Sequence, residues 1–334
     1  MDMKKKAVLF TLISLLLASM FIALFSAQYQ YNLEDRASAS NTRVKVMDTY
    51  VKNFETYVDD SLQISSYKTL DALYSYIVGR NSFFSDSAEF NNTFYNCLAC
   101  GYLNCTTKAT SCPAPIAGND LGTMLSNITM LANQTLNIAT DYTINSVSVY
   151  QVRPFEVEVD LDISYEVSDI GSSDYAEWNS RKIIHQTISI QNLYDPLTAL
   201  NTKNNYRKII KPTNICADAT VNDTCWNMNN TILFYNSQEY RQYYNGTNYL
   251  NRFWNKTVSS GYSGIESFLN VSYVSGNNTY VDTYYWNGKY SCPSSNITIL
   301  EFNFVNPGFR LDAYTAGRYN ITDYGKVVCP TLPP

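Results

Sequence analysis

Four cysteines lie close together in the chain, with two, four and six residues between successive members. They are Cys97, Cys100, Cys105 and Cys112. Thiolates at such spacing can hold a tetrahedral metal ion in a reducing compartment. In an oxidising compartment the same four side chains form two disulfides, for which three pairings exist. The choice between the two chemistries depends on where the chain resides.

Carboxylates recur at every second position in a strand-like segment. They are Glu156, Glu158, Asp160 and Asp162. Oxygen ligands of this kind suit Ca²⁺, but residues spaced by two on one strand present their carboxylates in a row and not around a point. The segment also lacks the loop that an EF-hand requires. We predict a solvated strand face and no metal site.

The chain contains a single histidine, His185. Nucleophilic triads and most zinc hydrolase sites need at least one histidine with suitable partners, and this one lies inside an apparent strand with no flanking motif. The sequence has no glycine-rich phosphate loop, no Gly-x-Ser-x-Gly motif and no metalloprotease motif. We therefore predict no enzyme activity and no cofactor. A two-carboxylate glycosidase stays open, because acidic pairs form in space and leave no local motif.

The N-terminus carries three lysines, Lys4 to Lys6, followed by an uncharged, mainly apolar run over residues 7–27. A helix of 21 residues is about 30 Å long, which matches the hydrocarbon thickness of a bilayer. The lysines favour a cytoplasmic N-terminus and an extracellular remainder. A cleaved secretory signal is the alternative, but its apolar core is usually about 7 to 15 residues long. We predict a single-pass membrane protein with its bulk outside the cell.

This topology decides the cysteine chemistry in favour of four disulfides. Cysteines outside the cell are usually paired, and the chain has an even number of them. Local pairing would join Cys216 to Cys225 and Cys292 to Cys329, and would close the 97–112 cluster on itself in a pairing left open.

Asparagine-x-threonine sequons are frequent, with eleven examples, while the serine form occurs once. Composition alone predicts the two forms in similar numbers, so the bias indicates N-glycosylation of an extracellular surface. The accidental origin of sequons in an asparagine-rich chain is the alternative. The candidate acceptors are Asn91, Asn104, Asn127, Asn133, Asn222, Asn229, Asn245, Asn255, Asn270, Asn277, Asn296 and Asn320.

Charge excludes one class of partner. The net charge is −5 and there is no basic cluster beyond the N-terminal tail, so we predict no nucleic-acid binding. The 29 tyrosines and four tryptophans supply flat amphipathic surfaces, which either stack on sugars and partner proteins or pack a β core. We favour packing for most of them.

Periodicity predicts an α+β fold with a long N-terminal transmembrane and stalk helix, followed by a disulfide-rich, mainly antiparallel β head with short helices. An apolar stripe from Met47 to Ile77 marks an amphipathic helix that either the head or neighbouring copies must cover. Strict alternation over residues 155–167 marks a strand, with partners over 144–152 and 183–190. Shorter strands are predicted over 231–235, 270–274, 280–286 and 297–304. The predicted divisions are a tail and transmembrane helix over 1–27, a helical stalk over 28–80, a helical Cys-rich region over 81–140, a β meander over 141–200 and a β/loop-rich region over 201–334.

The segment Lys6-Ala7-Val8-Leu9 resembles the class III signal peptides of archaeal type IV pilin-like proteins. The resemblance implies cleavage by a prepilin peptidase after Ala7, which would leave Val8 as the N-terminus. It also implies that the apolar helix serves as a membrane anchor or as the core of a filament. The segments Ile188-x-Ile190, Asp195-Pro196-Leu197 and Gly264-Ile265-Glu266-Ser267 resemble patterns of uncharacterised archaeal surface proteins, a likeness that supplies no activity.

These observations together predict a membrane-anchored, N-glycosylated extracellular protein of pilin-like build that acts in adhesion or cell-surface structure. The alternatives are a subunit of a type IV pilus-like filament and, from a different class, an extracellular carbohydrate-active enzyme. The expected partners are the lipid bilayer through residues 7–27, and copies of itself, other surface proteins or glycans.

Overall fold

The computed structural model describes residues 35–170, 176–216, 225–288, 290–292, 297–303 and 308–329. The chain is an α+β protein with antiparallel sheets. Its elements are α1 (Asp35–Arg80), α2 (Ser87–Cys100), α3 (Leu121–Leu136), β1 (Ile138–Arg153), β2 (Glu156–Asp169), β3 (Glu177–Ser189), α4 (Pro196–Asn201), α5 (Met228–Ser237), β4 (Arg241–Thr247), β5 (Ile265–Glu266), α6 (Asp282–Asn287), β6 (Ile299–Phe302), β7 (Phe309–Asp312), α7 (Ala313–Arg318) and β8 (Lys326–Cys329).

Helix α1 is the longest described helix, and several other elements pack against it. No glycine or proline interrupts it before Gly79, which allows 46 residues of continuous helix. Its apolar residues recur at three- and four-residue steps, so they form one stripe on the helix surface. Every member of the predicted stripe is buried, at 8% exposure or less: Met47, Val51, Phe54, Val58, Leu62, Leu70, Leu73 and Ile77. The head itself covers this stripe, which answers the question that the sequence left open.

This arrangement differs from a stalk that stands apart from the head. The side chain of Arg43 already forms an ion pair with Asp169 at the end of the sheet, with an N–O distance of 2.8 Å. Beyond it, α1 packs against β2, β3, α2, α3 and α4. The reason is that the stripe is too long and too apolar to stay in water, and the sheet offers an apolar face of matching length.

Strands β1, β2 and β3 form the predicted antiparallel meander, with β2 in the centre. Alternate residues of β2 are buried because they face α1: Val157, Val159, Leu161, Ile163, Tyr165 and Val167. The intervening residues face the opposite side, where the carboxylates of Glu156, Glu158, Asp160 and Asp162 lie. The prediction for residues 155–167 is therefore confirmed.

Helices α2 and α3 pack against both α1 and strand β1. Asp86 caps α2 by accepting a hydrogen bond from the backbone N–H of Glu89, and Asp120 caps α3 through that of Thr123. Leu121 and Leu125 of α3 are buried, whereas Leu131 is 38% exposed.

Four disulfides are present, and none of the described cysteines is free. The pairs are Cys97–Cys112, Cys100–Cys105, Cys216–Cys225 and Cys292–Cys329. The last two are the predicted local pairs. In the cluster, the pairing left open by the sequence joins the outer two cysteines and nests the inner pair between them.

The C-terminal part packs around a second apolar core, rich in aromatic residues, that contains Trp226, Phe234, Phe268, Phe309 and Tyr319. It also contacts the first core. Phe253 belongs to that first core: its ring is tilted against Phe90 of α2 with centroids 5.0 Å apart, and its carbonyl accepts a hydrogen bond from the backbone N–H of Phe84.

Three of the predicted short strands are wrong. Residues 231–235 lie in helix α5, residues 271–273 form a 3₁₀ turn, and residues 282–287 form helix α6. These segments are rich in β-branched and aromatic residues, which favour strands by propensity. Local capping and burial outweigh that propensity, as at Asn227, which caps α5 by accepting from the N–H of Asn230. Only the run over 297–304 contains a strand, β6.

No helix among the described residues is long and apolar enough to cross a membrane. The predicted span over 7–27, like the processing position at Ala7 and Val8, lies outside the described residues.

Candidate functional site

The candidate glycan acceptors lie on the surface. Nine of the ten described sequon asparagines are exposed, and the tenth, Asn270, is half-buried. By comparison, nine of the other 22 described asparagines are half-buried. Asn222 and Asn296 lie outside the described residues. All ten described sequons therefore offer some solvent access to a glycan, and nine offer it freely.

Some of these asparagines also have a backbone reason to be asparagine. Asn255 and Asn320 adopt left-handed backbone, with φ of 55° and 54°, which asparagine tolerates better than most residues. Asn104 accepts hydrogen bonds from the backbone N–H groups of Thr106 and Thr107, and Asn270 from that of Ser272. At these four positions the residue type alone does not argue for a glycan.

Four of the described sequons lie in helices; Asn229 is the second residue of α5, whereas the other three lie deeper in their helices and have no such reason. Asn91 lies within α2, and Asn127 and Asn133 lie within α3, all exposed. Asparagine is a poor helix former compared with alanine, lysine or glutamate, so an exposed helix position does not favour it. These three positions carry the strongest structural argument for acceptor function.

The acidic row on β2 is paired with neighbouring strands. Asp160 lies 2.7 Å from Nδ1 of His185 on β3, and it accepts hydrogen bonds from the hydroxyl of Tyr150 on β1. Asp162 accepts from Arg181 and Asn145, and these hydrogen bonds lower the pKa of Asp162 to about 2. The row is a polar sheet face with cross-strand partners. Across the described ranges, no group of three or more His, Cys, Asp or Glu side chains is arranged to hold a metal ion.

A buried ionic cluster centres on Arg252, whose side chain is fully buried. Its Nη1 lies 2.8 Å from Asp195 and 2.9 Å from Asp282, and its Nη2 donates to the carbonyl of Ile265. Tyr240 donates a further hydrogen bond to Asp195. Both carboxylates are fully buried as well.

A second buried cluster centres on Glu266. Its carboxylate accepts hydrogen bonds from Arg241, Arg318 and the hydroxyl of Tyr319. Burial alone raises the pKa of Glu266, but Arg318 and Arg241 outweigh it and hold this pKa below its usual value. Arg318 also lies over the ring of Tyr243, 3.9 Å from its centroid.

These clusters bring together two segments singled out in the sequence, around Asp195 and around Glu266. Ser267, next to Glu266, donates to Asp282, which in turn pairs with Arg252 and so links to Asp195. The arginines were missed, since an isolated arginine carries no pattern in the sequence. The charged groups here are buried, apart from Arg241 with 12% of its side chain exposed, so the clusters hold the fold together.

Lys208 lies beside the first cluster and is fully buried by its surroundings. Its ammonium donates to the carbonyl of Phe268 at 2.9 Å and lies 4.7 Å from the ring centroid of Tyr240. Desolvation lowers the pKa of Lys208 to about 7, against the opposing pull of Asp282 and Asp195.

An open cleft of about 840 Å³ lies on the surface of the C-terminal part. Three tyrosines line it, Tyr284, Tyr290 and Tyr314, together with the sequon residue Asn245 and the segment 257–259. Tyr314 is 56% exposed. None of the described residues that line this cleft carries a charge. The cleft combines aromatic rings with amide and hydroxyl groups, the chemistry of a carbohydrate-binding surface.

A shallower groove of about 460 Å³ lies on the sheet. It contains Asp141 of β1 and Glu166 of β2, which are paired directly across the two strands, and Arg181 of β3. Both carboxylates are exposed. Opposed residues of an antiparallel pair have Cβ atoms about 5 Å apart, so Asp141 and Glu166 are neighbours on one face of the sheet, where both are open to water.

Comparison of the chain with protein families, with curated proteins and with solved structures finds no match in any of the three.

Proposed function

We propose that this chain is a membrane-anchored, N-glycosylated extracellular surface protein of pilin-like build, with a role in adhesion or cell-surface structure. The observation that carries the proposal is the exposure of the sequon asparagines, above all at the exposed helix positions Asn91, Asn127 and Asn133. A carbohydrate coat on these positions accounts for a residue type that the helix itself does not favour.

The disulfides support the extracellular placement. Four bridges join all eight cysteines, and bridges of this density are typical of proteins in oxidising compartments. This agrees with the topology that Lys4 to Lys6 and the apolar run over residues 7–27 predict.

The course of α1 supports the anchor. The apolar face of the helix is buried from Val46 onward, while its side chains at residues 41, 44 and 45 are exposed. The described part of the helix begins at Asp35, eight residues after the apolar run ends. An anchor in residues 7–27 would thus continue within a few residues into the element on which the whole head packs.

The test is intact and peptide mass spectrometry of the native protein from its membrane fraction. We expect glycans on most of the sequons, the eight cysteines oxidised, and an N-terminus at Val8 or at Met1. Unmodified peptides at Asn91, Asn127 and Asn133, or free thiols, would overturn the proposal.

A filament subunit is the second candidate, favoured by the resemblance of Lys6-Ala7-Val8-Leu9 to pilin-like signal peptides. Since the head covers α1 from residue 46, only the N-terminal segment is left to form a filament core. Polymers that resist mild detergent would favour the filament, and detergent-soluble monomers would favour the anchor.

A carbohydrate-active enzyme is the candidate from another class, favoured by the pair Asp141 and Glu166. Both carboxylates stand in an open groove, whereas a catalytic acid needs a desolvated environment to keep its proton at neutral pH. Assays on a panel of oligosaccharides with wild type, D141N and E166Q test this candidate. Hydrolysis by wild type that both variants abolish would establish it.

A further inference from the structure

We propose that the tyrosine-lined cleft is the seat of the protein's own N-glycan, attached at Asn245. The proposal rests on the proposed function, because it requires glycosylation of this chain. It assigns to the cleft one ligand class, the first sugars of a covalently attached oligosaccharide.

The attachment point is part of the cleft wall. Asn245 is exposed and is among the residues that line the cleft. Its amide nitrogen lies 3.3 Å from the hydroxyl of Tyr243. A side-chain amide carries two hydrogens, so it can bear a sugar and still donate this hydrogen bond. A glycan on Asn245 would therefore start at the cleft and not at a distance from it.

The backbone around Asn245 is held rigidly. A Cβ on Gly246 would lie 2.5 Å from the carbonyl oxygen of Ile265, and one on Gly264 would lie 2.3 Å from that of Tyr243. Only glycine permits strands β4 and β5 to approach this closely. The N–H of Ser260 donates to the carbonyl of Gly246, and Thr247, the third sequon residue, donates to the carbonyl of Lys256. The sequon and the segment that forms the opposite wall are thus one fixed unit.

The lining suits a sugar. A pyranose ring has apolar C–H faces that pack on aromatic rings, and a rim of hydroxyl groups that need hydrogen-bond partners. The cleft supplies the exposed ring of Tyr314 and the half-buried ring of Tyr290, while Tyr284 is only 6% exposed and packs edge-on against Tyr290. Polar groups are supplied by the amide of Asn287 and by the hydroxyl oxygen of Ser259, whose hydrogen is donated to the carbonyl of Tyr244. The described residues that line the cleft are uncharged, which suits the neutral rim of a sugar. Its volume of about 840 Å³ accommodates more than one sugar ring.

Tethering makes weak contacts sufficient. A free sugar that stacks on tyrosine binds weakly, since association costs translational and rotational freedom. A sugar attached to Asn245 has already lost that freedom, and its effective concentration at the cleft is of the order of millimolar or higher. This argument favours the chain's own glycan over a free oligosaccharide as the occupant.

The experiment is hydrogen exchange with mass spectrometry on four samples: wild type and N245Q, each produced with glycosylation and in an oxidising bacterial compartment without it. Glycopeptide analysis first establishes whether Asn245 is occupied. We expect the glycan to slow exchange in peptides that cover 257–259 and 284–288 by at least threefold. This slowing should be present only in glycosylated wild type and lost in N245Q, while the two non-glycosylated samples exchange alike.

Asn133 supplies the matched control, because it is an exposed sequon on α3, outside the cleft. In glycosylated N133Q the cleft peptides should exchange as in wild type. If Asn245 carries a glycan but exchange does not differ between wild type and N245Q, the cleft does not bind this glycan and the proposal is refuted. It is also refuted if Asn245 carries no glycan while other sequons do. Absence of glycan from every sequon would instead refute the proposed function.

Discussion

The buried carboxylate of Glu266 lies between two arginines of the C-terminal part, so loss of its negative charge should lower the stability of the fold. It faces Arg241 and Arg318, whose side chains are 12% and 2% exposed, and it accepts from the hydroxyl of Tyr319. In the substitution Glu266→Gln the shape and one acceptor oxygen remain, but the negative charge is lost. Removal of one partner from a buried ion pair costs about 3 to 5 kcal/mol, because the other charge is left without compensation.

Equilibrium unfolding in urea measures this cost with the disulfides kept intact. With an m-value of roughly 3 kcal/mol per M, the expected loss moves the midpoint down by about 1 to 1.7 M. Glu301→Gln is the control, since Glu301 and its partner Arg310 are each about one-fifth exposed. A pair with that degree of access to water contributes about 1 kcal/mol or less.

The effect of Glu266 depends on pH in a known direction. Its pKa in the folded state lies below the ordinary value of 4.5, so the carboxylate stabilises the fold above that pH and the contribution is lost as pH falls below it. The difference in unfolding free energy between wild type and E266Q should therefore shrink below about pH 4.5. A loss no larger than that of E301Q, or a difference that stays constant from pH 7 to pH 3, would refute the reasoning.

Three further substitutions probe other parts of the molecule. Phe54→Ala removes a side chain that is 1% exposed and stacks edge-on against Tyr165, so we expect a loss of about 3 to 5 kcal/mol in urea unfolding, against less than 0.5 for the exposed Lys52→Ala. Replacing the Cys292–Cys329 bridge by serines opens a 37-residue loop and should lower the unfolding free energy by about 4 kcal/mol. Replacing Cys100–Cys105, which closes a 5-residue loop, should lower it by only about 2 kcal/mol, because a bridge that closes a longer loop restricts the unfolded chain more. Equal losses would contradict this argument. Lys208→Met should stabilise the protein at pH 6. A pKa near 7 means that the fold disfavours the ammonium by roughly 4 to 5 kcal/mol. Loss of the hydrogen bond to Phe268 reduces the expected gain in stability by about 1.5 to 3 kcal/mol. The gain should diminish between pH 7 and pH 9.5, as wild-type Lys208 becomes neutral in the folded state; a variant less stable than wild type at pH 6 would contradict the argument.

The part of the fold from α1 to β3 follows from pattern. Helix α1 and strand β2 have long periodic sequences, and their periods of 3.6 and 2 distinguish the two types of element without ambiguity. The local disulfides Cys216–Cys225 and Cys292–Cys329 also follow from spacing alone. The pattern did not predict which part of the protein covers the α1 stripe. An apolar face indicates that it is buried but does not identify the element that buries it.

The C-terminal part was harder to predict because its elements are short. Helices α5 and α6 have ten and six residues, too few for a clear period, and their composition favours strands. The ionic clusters could not be predicted from the sequence for a related reason. Arg252 and Glu266 are 14 positions apart, and nothing near either residue in the sequence indicates that its side chain is buried. The tyrosine cleft likewise assembles from segments near residues 245, 258, 287 and 314, so only its chemistry, not its place, was present in the sequence.

The burial of α1 also has a mechanical consequence. A protein held at the cell surface bears load through its anchor, and here tension applied at the N-terminus would enter the helix on which β2, β3, α2 and α3 all pack. The helix is unbroken between its first contact with the head, at Arg43, and the residues buried in the middle of the core. Tension would therefore act on the whole apolar face at once, and extraction of the helix would require the head to unfold. The same geometry sets the limit for a soluble fragment: one that begins after residue 80 loses the wall of its core, whereas one that begins near residue 35 keeps it.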